Sequence, residues 1–361
     1  MKRHVLTPFV AAFSFVAAAA PAWAQGTLER IQVRGASLEG NLSGDDPSRE
    51  VAVYLPPSYT TDTNRRYPVV YFLHGYGATA EAYIRLIGLP GALDEAIAGG
   101  AKEMIVVLPD AHTRYDGSMY SNSPTTGDWE GYIASDLVSY IDSHYRTVAT
   151  RESRGLAGHS MGGYGTMRIG MKHPHVFSAL YAMSSCCLLN NPGAQGGRGG
   201  RGAARGGGIA GQGDAARGDG AQQDQPARGR GRGGRGGGFA NAGSAQAAAW
   251  APNPNNPPEY FDLPVVDGVV QPLVVAKYLA NSPLVMVDQY VPALKRYAAI
   301  AIDVGDMDGL AASNRDLDAA LTRLDVPHTF EVYEGDHGNR VAARFAAEVM
   351  ELFGDTLVFP N

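Results

Sequence analysis

Residues 158–163, with the sequence GHSMGG, restrict the fold of this chain more than any other segment. The pattern G-x-S-x-G is typical of a tight turn between a strand and a helix, which exposes the serine hydroxyl. Glycines suit this turn because a larger side chain would collide with the neighbouring strand and helix. A short apolar segment precedes the motif at 154–157, and a helix-like segment follows at 166–172. Ser160 is therefore a candidate nucleophile.

A serine nucleophile needs a base that is neutral near pH 7, and histidine is the side chain that titrates there. Among the nine histidines, His337 is the best candidate, because it follows the strand-like segment 330–333. A sheet would present a base at that carboxyl edge. His159 lies inside the 158–163 motif, and we expect its side chain to point away from the serine.

The acid that would orient His337 should lie upstream of it, at the end of another strand. Such an acid holds the imidazole in the correct tautomer and stabilises the imidazolium. The apolar run 298–305 is followed by Asp306 and Asp308, whereas Asp303 lies within the run and is the least able to reach a loop histidine. We favour Asp308 and keep Asp306, which also suits turn formation, as the alternative.

The reaction of such a serine also requires two backbone N–H groups that stabilise the developing negative oxygen. We expect one from Met161, directly after the serine, and one from Tyr76, in the loop after the strand-like segment 67–73. This loop also matches the dinucleotide-binding pattern G-x-G-x-x-A. No strand ending in Asp or Glu follows at the spacing that a ribose contact requires. The sequence also lacks a P-loop, an HExxH helix and paired CxxC motifs, so we expect no cofactor and no metal.

Strand-like and helix-like segments alternate along the chain, which predicts an α/β fold with a mostly parallel sheet and helices on both faces. Segments 105–108 and 180–183 are typical of buried strands, and segment 132–145 has the period of an amphipathic helix. Segments 28–33 and 51–55 should add antiparallel edge strands.

These motifs together resemble the esterase D-like family of α/β-hydrolases, which includes feruloyl and acetyl-xylan esterases, S-formylglutathione hydrolase, enterochelin esterase and the mycolyl transferases. The resemblance covers residues 27–190 and 255–356, and it is carried by His74-Gly75, the 158–163 motif, Gly305-x-x-Asp308 and Gly335-x-His337. It implies an α/β-hydrolase domain over residues 25–361, and it favours Asp308 over Asp306. It also implies the site residues Ser160 as nucleophile, Asp308 as acid, His337 as base, and Tyr76 and Met161 as oxyanion donors.

The resemblance further implies a serine carboxylic-ester hydrolase that acts on small-molecule or carbohydrate-linked acetyl or feruloyl esters. An acyltransferase with the same acyl-enzyme is the nearest alternative, and a non-catalytic binding protein on the same scaffold is the alternative of another class. The aromatic and polar segment 111–132 should reach the edge of the sheet that carries the serine. The candidate substrate contacts are His74, Gly75, His159, Tyr120 and Trp129. Packing in the core is the alternative for the aromatic residues.

The N-terminus has the features of an export signal. Lys2 and Arg3 precede the apolar stretch 5–20, and Ala22-Trp23-Ala24 is a small-residue cleavage site. We expect cleavage near Ala24 and a secreted or periplasmic protein, with an uncleaved anchor as the alternative. The apolar stretch is too short and too rich in alanine for a stable membrane span.

Residues 191–249 interrupt the predicted domain with a segment rich in Gly, Ala and Arg. This composition cannot bury enough apolar surface to offset its ordering entropy, so we predict disorder. The segment carries eight arginines against three aspartates. A tolerated expansion of a surface loop is the simplest interpretation, and contact with an anionic surface is the alternative. Nucleic-acid binding is not expected, because the predicted protein is exported and the segment has few aromatic residues for stacking.

Cys186 and Cys187 are the only two cysteines, and they are adjacent. Consecutive Cα atoms lie about 3.8 Å apart, which is below the usual range for a disulfide. We therefore expect two free, buried thiols, with a vicinal disulfide or a redox switch as the alternative.

Overall fold

The structure is a computed structural model, and it describes residues 25–192 and 242–360. Eight strands form one sheet in the order β1-β2-β4-β3-β5-β6-β7-β8. The strands are β1 (Thr27–Arg34), β2 (Ser48–Leu55), β3 (Val69–Leu73), β4 (Ile105–Pro109), β5 (Arg154–His159), β6 (Ala179–Met183), β7 (Ala299–Gly305) and β8 (Thr329–Tyr333). Strands β3 to β8 pair in parallel, whereas β2 is antiparallel to both β1 and β4.

Helices connect and cover these strands. The longer ones are α1 (Ala80–Ile87), α2 (Gly91–Ala98), α3 (Val138–His144), α4 (Met161–Lys172), α5 (Ala242–Trp250), α6 (Pro272–Ala280), α7 (Ala311–Arg323) and α8 (Met350–Thr356). Single α-helical turns occur at Trp129–Gly131, Pro283–Met286, Val291–Leu294 and Val341–Arg344. Turns of 3₁₀ helix occur at Ala36–Leu38, Pro57–Tyr59, Arg151–Ser153 and Val287–Gln289. Turns of π helix occur at Tyr132–Leu137 and Phe345–Val349. Two-residue strands form two small ribbons, Asn122–Ser123 with Gly127–Asp128 and Val265–Val266 with Val269–Val270.

The inner strands β3 to β6 are buried at nearly every position, and successive side chains of a strand point to opposite faces of the sheet. In β3, Val69 and Tyr71 belong to one apolar cluster, while Val70 and Phe72 belong to the other. A strand buried on both faces needs an apolar residue at every position, which is the pattern of a parallel sheet covered by helices. The predicted α/β architecture is confirmed, and both early segments are antiparallel strands, but only β1 lies at the edge, since β2 pairs with β1 on one side and β4 on the other.

The prediction of disorder is wrong for one part of the insertion. Residues 242–249 form most of α5, and Ala245 and Trp250 of this helix are buried. Alanine favours helix and can be buried without a polar group, which the composition argument did not take into account. The indole N–H of Trp250 donates to Ser121 Oγ at 3.2 Å, and its ring packs against Tyr164. The remainder of the predicted insertion, 193–241, and the predicted signal, 1–24, lie outside the described residues.

None of the helices in the described part of the chain combines the length and apolar character that a membrane crossing requires.

Candidate active site

The predicted strand–turn–helix motif is present around Ser160. This residue lies between β5 and α4 with φ of 59° and ψ of −112°, a backbone conformation that costs energy for a residue with a side chain. Surrounding contacts hold it there, and its N–H donates to the carbonyl of Met183 at 2.9 Å. A Cβ atom on Gly162 would lie 1.9 Å from the carbonyl oxygen of Leu73, so only glycine fits where α4 passes β3.

Ser160, His337 and Asp308 form one hydrogen-bonded series, although they are distant in sequence. His337 Nε2 lies 2.9 Å from Ser160 Oγ, and His337 Nδ1 lies 2.8 Å from Asp308 Oδ2. An ionised carboxylate only accepts hydrogen bonds, so Nδ1 carries the proton and Nε2 can accept from the serine hydroxyl. The side chain of Asp308 is 2% exposed, whereas that of His337 is 29% exposed and open to a substrate.

The environment of Asp308 keeps this carboxylate ionised. Burial raises its pKa, but the hydrogen bonds from His337, the Leu310 N–H and Ser184 outweigh burial and hold the pKa below its usual range. An ionised carboxylate can orient His337 and stabilise its protonated form.

The other two candidate aspartates have different partners. Asp306 Oδ1 accepts from the N–H of Gly335 at 3.0 Å, which ties the loop after β7 to the loop after β8. Asp303 is fully buried and pairs with Arg344 at 2.6 Å. Of the three, Asp308 is the one that contacts His337.

His159 holds the backbone beside the candidate base. Its Nε2 lies 2.7 Å from the carbonyl oxygen of His337, and its Nδ1 lies 2.6 Å from Tyr83 Oη. A carbonyl can only accept, so Nε2 carries the proton and Nδ1 accepts from the Tyr83 hydroxyl. Burial and the neighbouring His337 lower the pKa of His159 to about 3, which keeps this ring neutral. Tyr83 is not among the predicted site residues, because an aromatic residue on a helix has no sequence pattern that indicates a hydrogen bond to a distant histidine.

The loop after β3 passes alongside the serine. A Cβ atom on Gly75 would lie 3.3 Å from Ser160 Cβ, which shows how closely the backbone approaches. His74 Nε2 accepts from the N–H of Ala111 at 2.8 Å, so its Nδ1 carries the proton and donates to the Gly75 carbonyl at 2.8 Å. In a trans peptide the N–H points opposite to the carbonyl. His74 therefore sets the direction of the Tyr76 N–H.

Met161 begins α4, where the first N–H groups of a helix have no carbonyl partner within the helix. This position suits the oxyanion contact that the sequence predicts for it. Among residues 25–192 and 242–360, no group of three or more His, Cys, Asp or Glu side chains is arranged to hold a metal ion.

The structure corrects most of the candidate substrate contacts. Tyr120 and Trp129 are buried in the core, where the Tyr120 hydroxyl donates to the carbonyl of His74 and the Trp129 indole donates to that of Thr126. His74 and His159 are also buried, and their ring nitrogens are occupied by the contacts described above. Gly75 remains a candidate, because a Cβ atom there would lie 3.3 Å from Ser160 Cβ.

Cys186 and Cys187 are free, but they are partly exposed rather than buried as predicted. They lie in the loop after β6, which leads towards residue 192.

The site lies where the carboxyl ends of β3, β5, β7 and β8 meet. The serine lies on a strand–turn–helix motif, and the aspartate and the histidine follow it in that order along the chain. The histidine contacts both of the others, and this arrangement defines an α/β-hydrolase.

A family model named Esterase, described as "Putative esterase", matches residues 45–352. The chain belongs to this family, as its motifs indicate. An esterase from Mycobacterium tuberculosis is 33% identical over 140 residues, which are 38% of this chain and 29% of that relative. An endo-1,4-beta-xylanase/feruloyl esterase from Xylanibacter ruminicola is 32% identical over 130 residues, which are 35% of this chain and 18% of that relative. The matched parts are thus less than a third of either relative.

The fold is similar to that of a solved ferulic acid esterase. The TM-score is 0.61 at 20% sequence identity, and the alignment covers 92% of this chain and 98% of the other.

Proposed function

We propose that this chain is a serine carboxylic-ester hydrolase. His337 Nε2 takes the proton of Ser160 Oγ, and the oxygen attacks the ester carbonyl. The N–H groups of Met161 and Tyr76 stabilise the negative oxygen, and Asp308 stabilises the protonated His337. The proton then passes to the departing alcohol, and a water molecule, activated by the same base, hydrolyses the acyl-enzyme. The observation that carries the proposal is the hydrogen-bonded series from Asp308 through His337 to Ser160.

We propose carbohydrate-linked acetyl or feruloyl esters as the substrates. The named relatives support this class, since one of them and the similar solved structure are feruloyl or ferulic acid esterases. One exposed apolar side chain next to Asp308 also suits an apolar acyl group. Met307, which directly precedes Asp308, is 66% exposed.

The test is hydrolysis of nitrophenyl esters of increasing acyl length and of a feruloyl ester. We expect Ser160→Ala to lose at least about 1,000-fold in kcat, because the nucleophile is absent. Ser143→Ala is the matched control, since this serine bonds only within and beside its own helix, α3. Equal activity of the wild type and Ser160→Ala would overturn the serine mechanism.

The same assay separates the alternatives. Acyl transfer to an added sugar in preference to water would identify a transferase that uses the same acyl-enzyme. Binding of esters without turnover by the wild type would identify a non-catalytic binding protein, although the complete Ser160-His337-Asp308 series argues against that outcome.

We also propose that residues 1–24 direct export and that the mature chain begins near residue 25. N-terminal sequencing of the protein from its producing cells tests this proposal. A mature chain that still starts at Met1 would contradict cleavage.

A further inference from the structure

The two cysteines lie against the nucleophile. The N–H of Cys186 donates to the carbonyl oxygen of Ser160 at 3.1 Å, so the pair is one hydrogen bond from the residue that carries the reacting hydroxyl. Both residues are partly buried, and both thiols are free. The reaction described above uses neither thiol, yet their position makes their chemical state relevant to it.

The backbone around the pair is held at several points. The backbone N–H of Ser185 donates to Asn314 Oδ1 at 3.2 Å, and Asn314 Nδ2 donates to the Ser185 carbonyl at 3.0 Å. The carbonyl of Cys187 accepts from Asn190 Nδ2 at 2.9 Å. Cys187 itself has φ of 60°, in the left-handed region that a residue with a side chain seldom adopts. Because these contacts restrict the loop, the two sulfurs stay together, and bond formation between them needs little further ordering.

The two sulfur atoms differ in their surroundings. Cys186 Sγ and Cys187 Sγ lie 2.7 Å apart, in a contact in which either thiol can donate, and Gln246 Nε2 on α5 donates to Cys187 Sγ at 3.5 Å. The sulfur of Cys187 thus accepts a hydrogen bond from α5 in addition to its contact with Cys186. The hydrogen bond to Cys187 and burial raise the pKa of Cys186 well above its usual range. Cys186 is therefore the less reactive of the two thiols, because the thiolate is the form that attacks a disulfide.

We propose that Cys186 and Cys187 form a thiol–disulfide redox site beside the nucleophile, in which Cys187 is the attacking thiol and Cys186 the resolving thiol. The Cys187 thiolate attacks a small-molecule disulfide, forms a mixed disulfide and releases one thiolate. Cys186 then loses its proton and attacks the sulfur of Cys187, which forms the vicinal disulfide and releases the second thiolate. The two cysteines lose two electrons, which reduce the small disulfide to two thiols, and these take up the two protons.

The adjacency of the cysteines makes the oxidation reversible. A disulfide between neighbouring residues lies outside the usual Cα separation, and such strain makes the bond easier to reduce. Closing this ring changes the backbone angles of Cys186, whose N–H contacts the Ser160 carbonyl. We therefore expect it to disturb the bond from Cys186 N–H to Ser160 and to slow ester turnover by about tenfold.

The experiment uses the folded full chain with glutathione disulfide as oxidant and dithiothreitol as reductant. We expect the wild type to lose two titratable thiols and the mass of two hydrogens, with recovery on reduction. Cys186→Ser should instead accumulate a stable mixed disulfide, seen as the added mass of one glutathione on Cys187. Cys187→Ser should react far more slowly at Cys186.

Two results would overturn the redox site: a wild type that keeps both thiols, or one that carries glutathione on both cysteines. If Cys186→Ser and Cys187→Ser took up glutathione at the same rate, the assignment of attacking and resolving thiol would be overturned. The thiol counts and masses do not depend on the proposed esterase function. The kinetic comparison of oxidised and reduced wild type does rest on it, and equal turnover of the two forms would overturn the coupling to Ser160.

Discussion

His159 Nε2 donates a hydrogen bond to the backbone carbonyl oxygen of His337 at 2.7 Å. The residue directly before the candidate nucleophile thus holds the loop that carries the candidate base. The carbonyl of His337 fixes the tautomer of His159, and the Tyr83 hydroxyl donates to the free Nδ1 at 2.6 Å. The His159 ring and the Tyr83 hydroxyl are both buried, so water does not compete for this hydrogen bond.

We expect His159→Leu to lower kcat by about 10- to 100-fold with a smaller change in KM, because the loop of His337 loses its donor and the base is misplaced. His159→Gln offers an amide N–H in place of the ring N–H and should recover part of the loss. Steady-state kinetics across pH on both variants check this prediction. Equal losses in the two variants, with an unchanged pH profile, would indicate that the ring acts only by filling space.

Asp308→Asn should lower kcat by about 1,000- to 10,000-fold, because an amide can leave His337 in the wrong tautomer. Asp306→Asn is the matched control, since an asparagine Oδ1 can still accept from the Gly335 N–H. We expect kcat of this control to fall by less than about tenfold, because only one hydrogen bond is weakened. Ester hydrolysis by both variants, with circular dichroism to check folding, measures the difference. A greater loss in Asp306→Asn would reassign the acid.

Gly162→Ala should lower the free energy of unfolding by more than about 2 kcal/mol, because the new Cβ atom would overlap the carbonyl oxygen of Leu73. Gly91→Ala is the control, since a Cβ atom there meets nothing within 4 Å. Alanine favours helix over glycine, so we expect this control to unfold at the same or a slightly higher temperature. Thermal and urea unfolding test both. A Gly162→Ala protein as stable as the wild type would show that α4 can move away from β3.

Glu130→Gln should destabilise the protein by about 3–5 kcal/mol at neutral pH, because it leaves Arg168 buried without its carboxylate partner. The Arg168–Glu130 distance is 2.7 Å, and both side chains are almost completely buried. Glu81→Gln, in exposed pairs with Arg30 and Arg85, is the control and should cost less than about 1 kcal/mol. Urea unfolding of the three proteins measures these differences.

The effect of Glu130 also depends on pH. Burial raises the pKa of Glu130, but Arg168, Lys172 and the Asn122 N–H outweigh it and lower the pKa overall. A carboxyl with a lowered pKa in the folded state stabilises fully above its unfolded pKa of about 4.3, and this stabilisation is lost as pH falls through the folded value. The difference between wild type and Glu130→Gln should therefore shrink in acid. A difference that stays constant to low pH would contradict this account.

The geometry separates two aspartates that the sequence alone does not. Asp306 and Asp308 both follow an apolar strand within reach of a loop histidine, and the local pattern suits either. The parallel pairing of β7 with β8 places the two loops side by side. In that arrangement the Asp306 side chain accepts from Gly335 N–H, and Asp308 is left to contact His337.

The sequence by itself determined the alternation of strands and helices, the turn at Ser160 and the order of serine, acid and histidine, because these depend on short-range backbone preferences and on spacing along the chain. Only the tertiary structure decided that Tyr120, Trp129 and His74 are buried rather than open to substrate, and that α5 packs onto Tyr164. Burial depends on which distant elements cover a side chain. An aromatic or imidazole ring has an apolar body and a polar edge, so its residue type fits the core and a binding surface equally well.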